Sequence, residues 1–80
     1  MSEVTFEDFT KRFADELLIN TDTVLTKNLY ELAEFDSMAK INVSLLIEDL
    51  FEFQIEYEDL SSTETIKALF EFCTERAKSV

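Results

Sequence analysis

The stretch SMAKINVSLLIEDLF, residues 37–51, decides the fold of this chain. Apolar side chains recur in it three and four positions apart, a spacing that predicts an α-helix with one face against the core. Further apolar residues broaden that face, so we expect a central helix that is contacted on more than one side. The residues predicted to form the buried face are Met38, Ile41, Leu45 and Leu46, widened by Val43, Ile47, Leu50 and Phe51.

Two further helices are predicted on either side of this one. Residues 5–18 carry phenylalanines at helical spacing after Thr5, a residue type that caps helix N-termini. Residues 63–78 form the last predicted helix, and Ser61 and Glu64 before it have the spacing of a capping box.

Between the first two helices the helical spacing is lost. Residues 19–36 include the run NTDTVLTKN, whose Asn, Thr and Asp side chains are typical of turns. Scattered apolar residues predict an ordered loop anchored to the core. The predicted anchors are Val24, Leu25, Leu29, Tyr30 and Leu32. A short helical turn is expected near residues 56–60. With no strand-like alternation, the chain is predicted to be one domain, residues 1–80, that folds as an all-α bundle of three to four helices with a long first loop.

Acidic side chains dominate the charge of the chain. Eighteen aspartates and glutamates against seven lysines and arginines give a formal net charge of −11. Nucleic acid and anionic membranes are therefore not expected partners, since both attract basic surfaces. The same charge favours rapid, salt-sensitive association with basic proteins, and it equally serves to keep a small domain in solution.

Composition also excludes several kinds of active site. The chain has no histidine, so neither a histidine-assisted nucleophile nor a histidine metal ligand is available. It has no glycine, which a P-loop, a dinucleotide fingerprint and an EF-hand loop all require. The acidic runs lack the ligand spacing of a metal site. We therefore predict neither a catalytic residue nor a bound metal, and we expect a protein that is not an enzyme.

Cysteine usage and the opening residues bear on the compartment. Cys73 is the single cysteine, so it has no partner for an internal disulfide, and we expect it to pack as a small apolar residue. The first residues lack the basic-then-apolar pattern of a signal peptide. A cytoplasmic monomer is the resulting expectation, because nothing in the pattern requires an oligomer.

Ser37 stands directly after an aspartate at the start of the central helix, and it has two interpretations. A serine there commonly caps the helix by accepting a hydrogen bond from an unpaired backbone N–H. The alternative is that its hydroxyl carries the function. Because no histidine is present to act as a base, Ser37 is not the nucleophile of a hydrolase.

The residues around Ser37 resemble the phosphopantetheine-attachment region of acyl carrier proteins and their peptidyl relatives. The family's Asp-Ser-Leu corresponds here to Asp36, Ser37 and Met38, its Phe-x-x-x-Ile to Phe51 and Ile55, and the Thr-Val that opens its last helix to Thr65 and Ile66. Order and spacing agree over almost the whole chain, as do length, acidity and helix order.

Two departures from the family pattern concern the type of carrier. The Leu-Gly that many members have before the Asp-Ser is absent, and Phe35 precedes Asp36 as in the branch with an aromatic residue there. Fatty-acid carriers have acidic residues soon after the serine, whereas this chain has Ala39, Lys40 and Asn42. The resemblance thus indicates a dedicated carrier in a specialised biosynthetic pathway, with short or polar cargo.

The resemblance implies that a phosphopantetheinyl transferase moves the arm from coenzyme A to Ser37, with Mg²⁺ present only during attachment. Asp36 would help to place the serine and the metal during that step, and Asp36 and Met38 would be cofactor-binding residues beside Ser37. Phe35 and Met38 would anchor the turn on either side. The arm would hold an acyl or aminoacyl cargo as a thioester. The implied partners are that transferase, a loading ligase and a downstream acyltransferase or synthase.

The exposed side of the central helix is the predicted partner surface, and its candidates are Lys40, Ser44, Glu48, Asp49 and Glu52. For Lys40, three alternatives stay open: pairing with the phosphate on Ser37, contact with an acidic partner, or no role. Two interpretations stay open for one set of apolar residues, which either line a cleft for cargo or belong to the ordinary core. The set is Ile41, Leu45, Leu60, Ile66 and Leu69. The competing hypothesis for the whole chain is an unmodified acidic helical interaction module.

Overall fold

Five α-helices and one 3₁₀ turn form the part of the chain that the computed structural model describes, residues 4–79. The helices are α1 (Phe6–Leu17), α2 (Thr21–Thr26), α3 (Ser37–Phe51), α4 (Tyr57–Ser62) and α5 (Ile66–Ser79), and the 3₁₀ turn spans Leu29–Glu31. The prediction of a small all-α bundle is confirmed. Residues 1–3, which open the stretch inspected for a signal peptide, lie outside the described residues, as does residue 80.

Helix α1 begins where its sequence predicts and ends in an uncommon backbone conformation. The Thr5 hydroxyl accepts a hydrogen bond from the Asp8 N–H at 3.1 Å, which confirms the predicted N-cap. The helix ends at Leu18, which adopts the left-handed conformation with φ of 58°. Phe9 and Phe13 are fully buried and present the apolar face of α1 to the rest of the bundle.

The core lies where α1, α3 and α5 meet. Val43 and Ile47 of α3 are fully buried, as are Leu69 and Cys73 of α5. Phenylalanine rings fill one side of this core in edge-on and tilted contacts, the geometry that aromatic quadrupoles favour. The ring of Phe9 lies 5.7 Å from that of Phe51 and 5.8 Å from that of Phe70 between centroids.

Helix α3 has the predicted bounds but turns a different face to the core. Met38, Ile41 and Leu45 are 71%, 50% and 59% exposed, so the prediction that they are buried was wrong. Val43 and Ile47, which were expected only to widen the stripe, form its buried centre. Both sets recur at helical spacing, and the surroundings of the helix decide which one is covered.

The connection between α1 and α3 contains more regular structure than the sequence suggested. Helix α2 and the 3₁₀ turn occupy much of the segment predicted as an irregular loop. Three of the predicted anchors, Val24, Leu29 and Leu32, are buried, whereas Leu25 and Tyr30 are exposed. The Leu29 N–H donates to the Glu64 carbonyl at 2.7 Å, which ties this connection to the segment before α5.

Helix α5 starts later than predicted and has a different cap. The hydroxyl of Thr65 accepts a hydrogen bond from the Ala68 N–H at 3.1 Å. The predicted capping box of Ser61 and Glu64 was wrong because α4 continues through Ser62 and leaves Ser61 inside a helix. Within the described residues, no helix has the length and apolar character needed to cross a membrane.

Candidate functional site

Ser37 is the first residue of α3, and its side chain is exposed. The cap of this helix is Asp36, whose Oδ1 accepts a hydrogen bond from the Ala39 N–H at 2.9 Å. The interpretation of Ser37 as the cap was therefore wrong. A carboxylate also interacts more favourably than a hydroxyl with the positive end of the helix dipole. The Ser37 hydroxyl is left outside the capping hydrogen bond.

Tyr57 brings the start of α4 against this serine. Its hydroxyl donates to the Oγ of Ser37 at 3.4 Å, a long hydrogen bond between residues twenty positions apart. Tyr57 is the first residue of α4, and its side chain is 48% exposed. No motif or spacing in the sequence indicated this residue. Its one distinguishing feature in the sequence is that it is aromatic within the acidic run from Glu56 to Asp59.

Lys40 contacts two aromatic rings, and one of them belongs to the tyrosine that contacts Ser37. Its Nζ is 5.5 Å from the centroid of the Phe35 ring and 5.5 Å from that of the Tyr57 ring. Each such cation–π contact contributes about 0.5–1 kcal/mol at an exposed site. A lysine in the first turn of a helix opposes the helix dipole, and these two contacts offset that cost.

Phe35 fixes the turn that leads into Ser37. Its side chain is buried, and its ring centroid lies 5.3 Å from that of Phe13 in α1. The expectation that Phe35 anchors this turn is confirmed. Met38, expected to anchor the other side, is largely exposed, so that half of the expectation was wrong.

The remaining predicted partner residues fall into two groups. Ser44 is half-buried, and its hydroxyl donates to the Ile41 carbonyl at 2.6 Å, which engages it within the helix. Glu48, Asp49 and Glu52 are exposed near the C-terminal end of α3. Together with the exposed stripe of Met38, Ile41 and Leu45, they give α3 a solvent face that is apolar near Ser37 and acidic further along.

The residues considered as a cargo cleft do not share one location. Leu60, Ile66 and Leu69 are buried in the core, whereas Ile41 and Leu45 are at least half exposed on the outside of α3. A shallow groove of about 470 Å³ lies elsewhere, between α1 and α2, and is lined by Phe6, Glu7, Thr10, Lys11, Thr21 and Leu25. Its walls contain none of the predicted site residues.

Cys73 is not available for chemistry at the surface. Its side chain is fully buried, and burial raises the pKa of the thiol to about 12. The expectation that it packs as a small apolar residue is confirmed. Among residues 4–79, no group of three or more histidine, cysteine, aspartate or glutamate side chains is arranged to hold a metal ion.

Comparisons with protein-family models, with curated proteins and with solved structures found no match to this chain. The family resemblance therefore depends on the motif residues of the sequence alone.

Proposed function

We propose that this protein is a carrier, which holds an acyl or aminoacyl cargo as a thioester on a phosphopantetheine arm attached to Ser37. The observation that carries the proposal is the exposure of the Ser37 hydroxyl, which does not cap its own helix. It is exposed at the N-terminus of a fifteen-residue helix, and Asp36 has taken over the capping hydrogen bond. A hydroxyl in that position is accessible to a modifying enzyme without loss of the cap.

The N-terminal end of α3 favours the negatively charged group that transfer of the arm would create on Ser37. In the transfer, the Ser37 Oγ attacks the phosphorus of coenzyme A that bears the pantetheine arm. The Oγ–P bond forms, the bond to adenosine 3′,5′-bisphosphate breaks, and the hydroxyl proton passes to a base on the transferase. The resulting phosphodiester is negatively charged, and the dipole of α3 stabilises such a charge by about 0.3–1 kcal/mol.

The protein itself would supply position rather than reactivity. When attached, the arm provides the thiol that carries the cargo. Cys73 is a poor substitute because its thiol is buried and its pKa is raised to about 12. Use of coenzyme A and a free cysteine are both consistent with the cytoplasm, which we propose as the compartment. The partners would be a phosphopantetheinyl transferase, a loading ligase and a downstream acyltransferase or synthase.

Intact-mass measurement tests the modification directly. The purified chain is incubated with coenzyme A, Mg²⁺ and a broad-specificity phosphopantetheinyl transferase. We expect one added arm on the natural sequence and on a Ser61→Ala control, and none on Ser37→Ala. Ser61 is a matched control because it is also an exposed serine. Absence of the added mass, under conditions that modify a known carrier, would contradict the proposal.

Thiol counting gives a second readout. Under native conditions a maleimide should label the modified protein once, on the arm, and the unmodified protein hardly at all. Labelling of the unmodified protein at a comparable rate would show that Cys73 is accessible, contrary to its burial in the core.

An unmodified interaction module is the second candidate function. The observation that favours it is the exposed apolar stripe of Met38, Ile41 and Leu45 next to acidic Glu48 and Asp49. Such a face suits a partner with an apolar surface bordered by basic residues. If this were the whole function, Ser37→Ala would leave partner binding unchanged, and the mass measurement would show no modification.

A further inference from the structure

Lys40 is held in an unusual way for a lysine in so acidic a protein. The chain has eighteen acidic residues, yet among residues 4–79 no ion pair joins a carboxylate to Lys40. The contacts that hold its ammonium are the rings of Phe35 and Tyr57. Aromatic rings attract a cation without using its N–H donors, so those donors remain available to an anion.

Tyr57 contacts both Lys40 and Ser37. Its ring lies beneath the ammonium of Lys40 at 5.5 Å, and its hydroxyl lies 3.4 Å from the Oγ of Ser37. Phe35, the other ring in contact with the ammonium, is anchored in the core through Phe13. The position of Lys40 is therefore set by one ring from the buried turn before α3 and by one ring from α4.

We propose that Phe35 and Tyr57 hold the ammonium of Lys40 beside Ser37 so that it pairs with the phosphate group formed on the Ser37 oxygen. Tyr57 is in this sense a positioning residue, which acts mainly through Lys40 and adds one hydroxyl donor of its own. The proposal rests on the proposed function, since it requires Ser37 to be the attachment site.

The physical reason for such a device is the charge of the protein. A net charge of −11 disfavours the approach of coenzyme A and the formation of another negative group on the surface. The ammonium of Lys40 contacts the same tyrosine as the reacting oxygen of Ser37, so it counters this charge locally. Holding the lysine in place beforehand avoids the loss of side-chain freedom when the phosphate forms.

Transfer kinetics on purified variants test this arrangement. We expect Lys40→Met to lower kcat/KM for transfer of the arm about three- to tenfold, the effect of losing one charge-assisted contact near the surface. Lys40→Arg should retain most of the activity, because a guanidinium stays charged and stacks on aromatic rings. Lys67→Met, which removes an exposed lysine from α5, is the matched control and should leave kcat/KM for transfer unchanged.

The role of Tyr57 is tested by a double-mutant cycle. Tyr57→Phe keeps the ring under Lys40 and should lower kcat/KM for transfer only slightly. Tyr57→Leu removes the ring, and its loss of kcat/KM should approach that of Lys40→Met. In the double variant, Tyr57→Leu should lower kcat/KM by no more than about twofold relative to Lys40→Met alone. Tyr30→Leu, in another exposed tyrosine, controls for the loss of an aromatic side chain. Thermal unfolding of each variant separates these effects from loss of the fold.

A readout on the modified protein distinguishes phosphate pairing from contact with the transferase. The ³¹P chemical shift of the phosphodiester should differ between the natural sequence and Lys40→Met, and it should not change in Lys67→Met. If modification proceeds and the ³¹P shift is insensitive to Lys40, the inference is wrong while the proposed function stands, and a kinetic effect alone would mean that Lys40 contacts the transferase. If the natural sequence is not modified at all, both are overturned.

Discussion

The ring of Phe35 lies 5.3 Å from that of Phe13 and 5.5 Å from the ammonium of Lys40, so one side chain joins the core of α1 to the surface beside Ser37. The backbone of the turn supports this link, since the Phe35 N–H donates to the Leu32 carbonyl at 3.0 Å. The position of the candidate site is therefore set by packing within the bundle and not by the exposed residues alone.

Truncation of Phe35 should destabilise the whole protein. We expect Phe35→Ala to lower the free energy of unfolding by about 3–5 kcal/mol, because it leaves a cavity against Phe13. Phe35→Leu should cost less than about 1.5 kcal/mol, since the volume is largely kept. Urea unfolding followed by circular dichroism measures both. A loss for Phe35→Ala no larger than that for Tyr30→Ala, at an exposed site, would contradict the packing described here.

Asp36 should stabilise the start of α3 through its capping oxygen more than through its charge. Asp36→Ala removes the acceptor for the Ala39 N–H and is expected to cost about 1 kcal/mol in the free energy of unfolding. Asp36→Asn keeps a capping oxygen and should retain most of that stability, because asparagine caps as well as aspartate. Chemical denaturation of the three proteins gives the comparison. Equal losses for the two variants would show that charge, rather than the cap, stabilises this helix start.

The two apolar faces of α3 should respond differently to truncation. Ile47 is fully buried, and Ile47→Ala should cost about 2–5 kcal/mol. Leu45 is 59% exposed, and Leu45→Ala should change the free energy of unfolding by less than about 0.5 kcal/mol. Thermal unfolding distinguishes the two outcomes. The reverse order of losses would mean that α3 packs through the face first suggested by its sequence.

The buried thiol of Cys73 should make stability depend on pH in the alkaline range. Its pKa is about 12 in the folded protein, against 9.0 for an ordinary cysteine thiol, so the unfolded chain releases the proton first. The stabilisation from this site is complete below pH 9.0 and declines as pH rises toward 12. At pH 10 the loss is about 1.4 kcal/mol. Cys73→Ala should lack this component when urea unfolding is compared at pH 8 and pH 10.

The sequence predicts the long helices of this protein because each is long enough for its spacing to repeat. The limits of α3 were predicted at Ser37 and near Phe51, and the structure has the same limits. Helix α2, in contrast, has six residues, fewer than two turns, and its Thr-rich composition is equally typical of a loop. A helix this short is stabilised by what it packs against, in this case through Val24.

The candidate site was predicted in part. The motif identified Ser37, Asp36 and Lys40, which are close together along the chain. Tyr57 could not be found in the same way, because its approach to Ser37 depends on the path of the chain between α3 and α4. The face of α3 was also ambiguous, since Ile41 and Ile47 both belong to apolar sets with helical spacing.

The ends of α1 and α3 show where this protein could be made more heat-resistant. The chain has no glycine, and Leu18 and Glu52 adopt the left-handed conformation with φ of 58° and 61°. A side chain makes that conformation unfavourable by roughly 1–2 kcal/mol, and glycine removes the penalty at some cost in chain entropy. Leu18 is 90% exposed, so Leu18→Gly should raise the melting temperature by a few degrees without touching the core or Ser37. Evolution has thus left this protein less heat-resistant than its fold allows, at positions where two helices end.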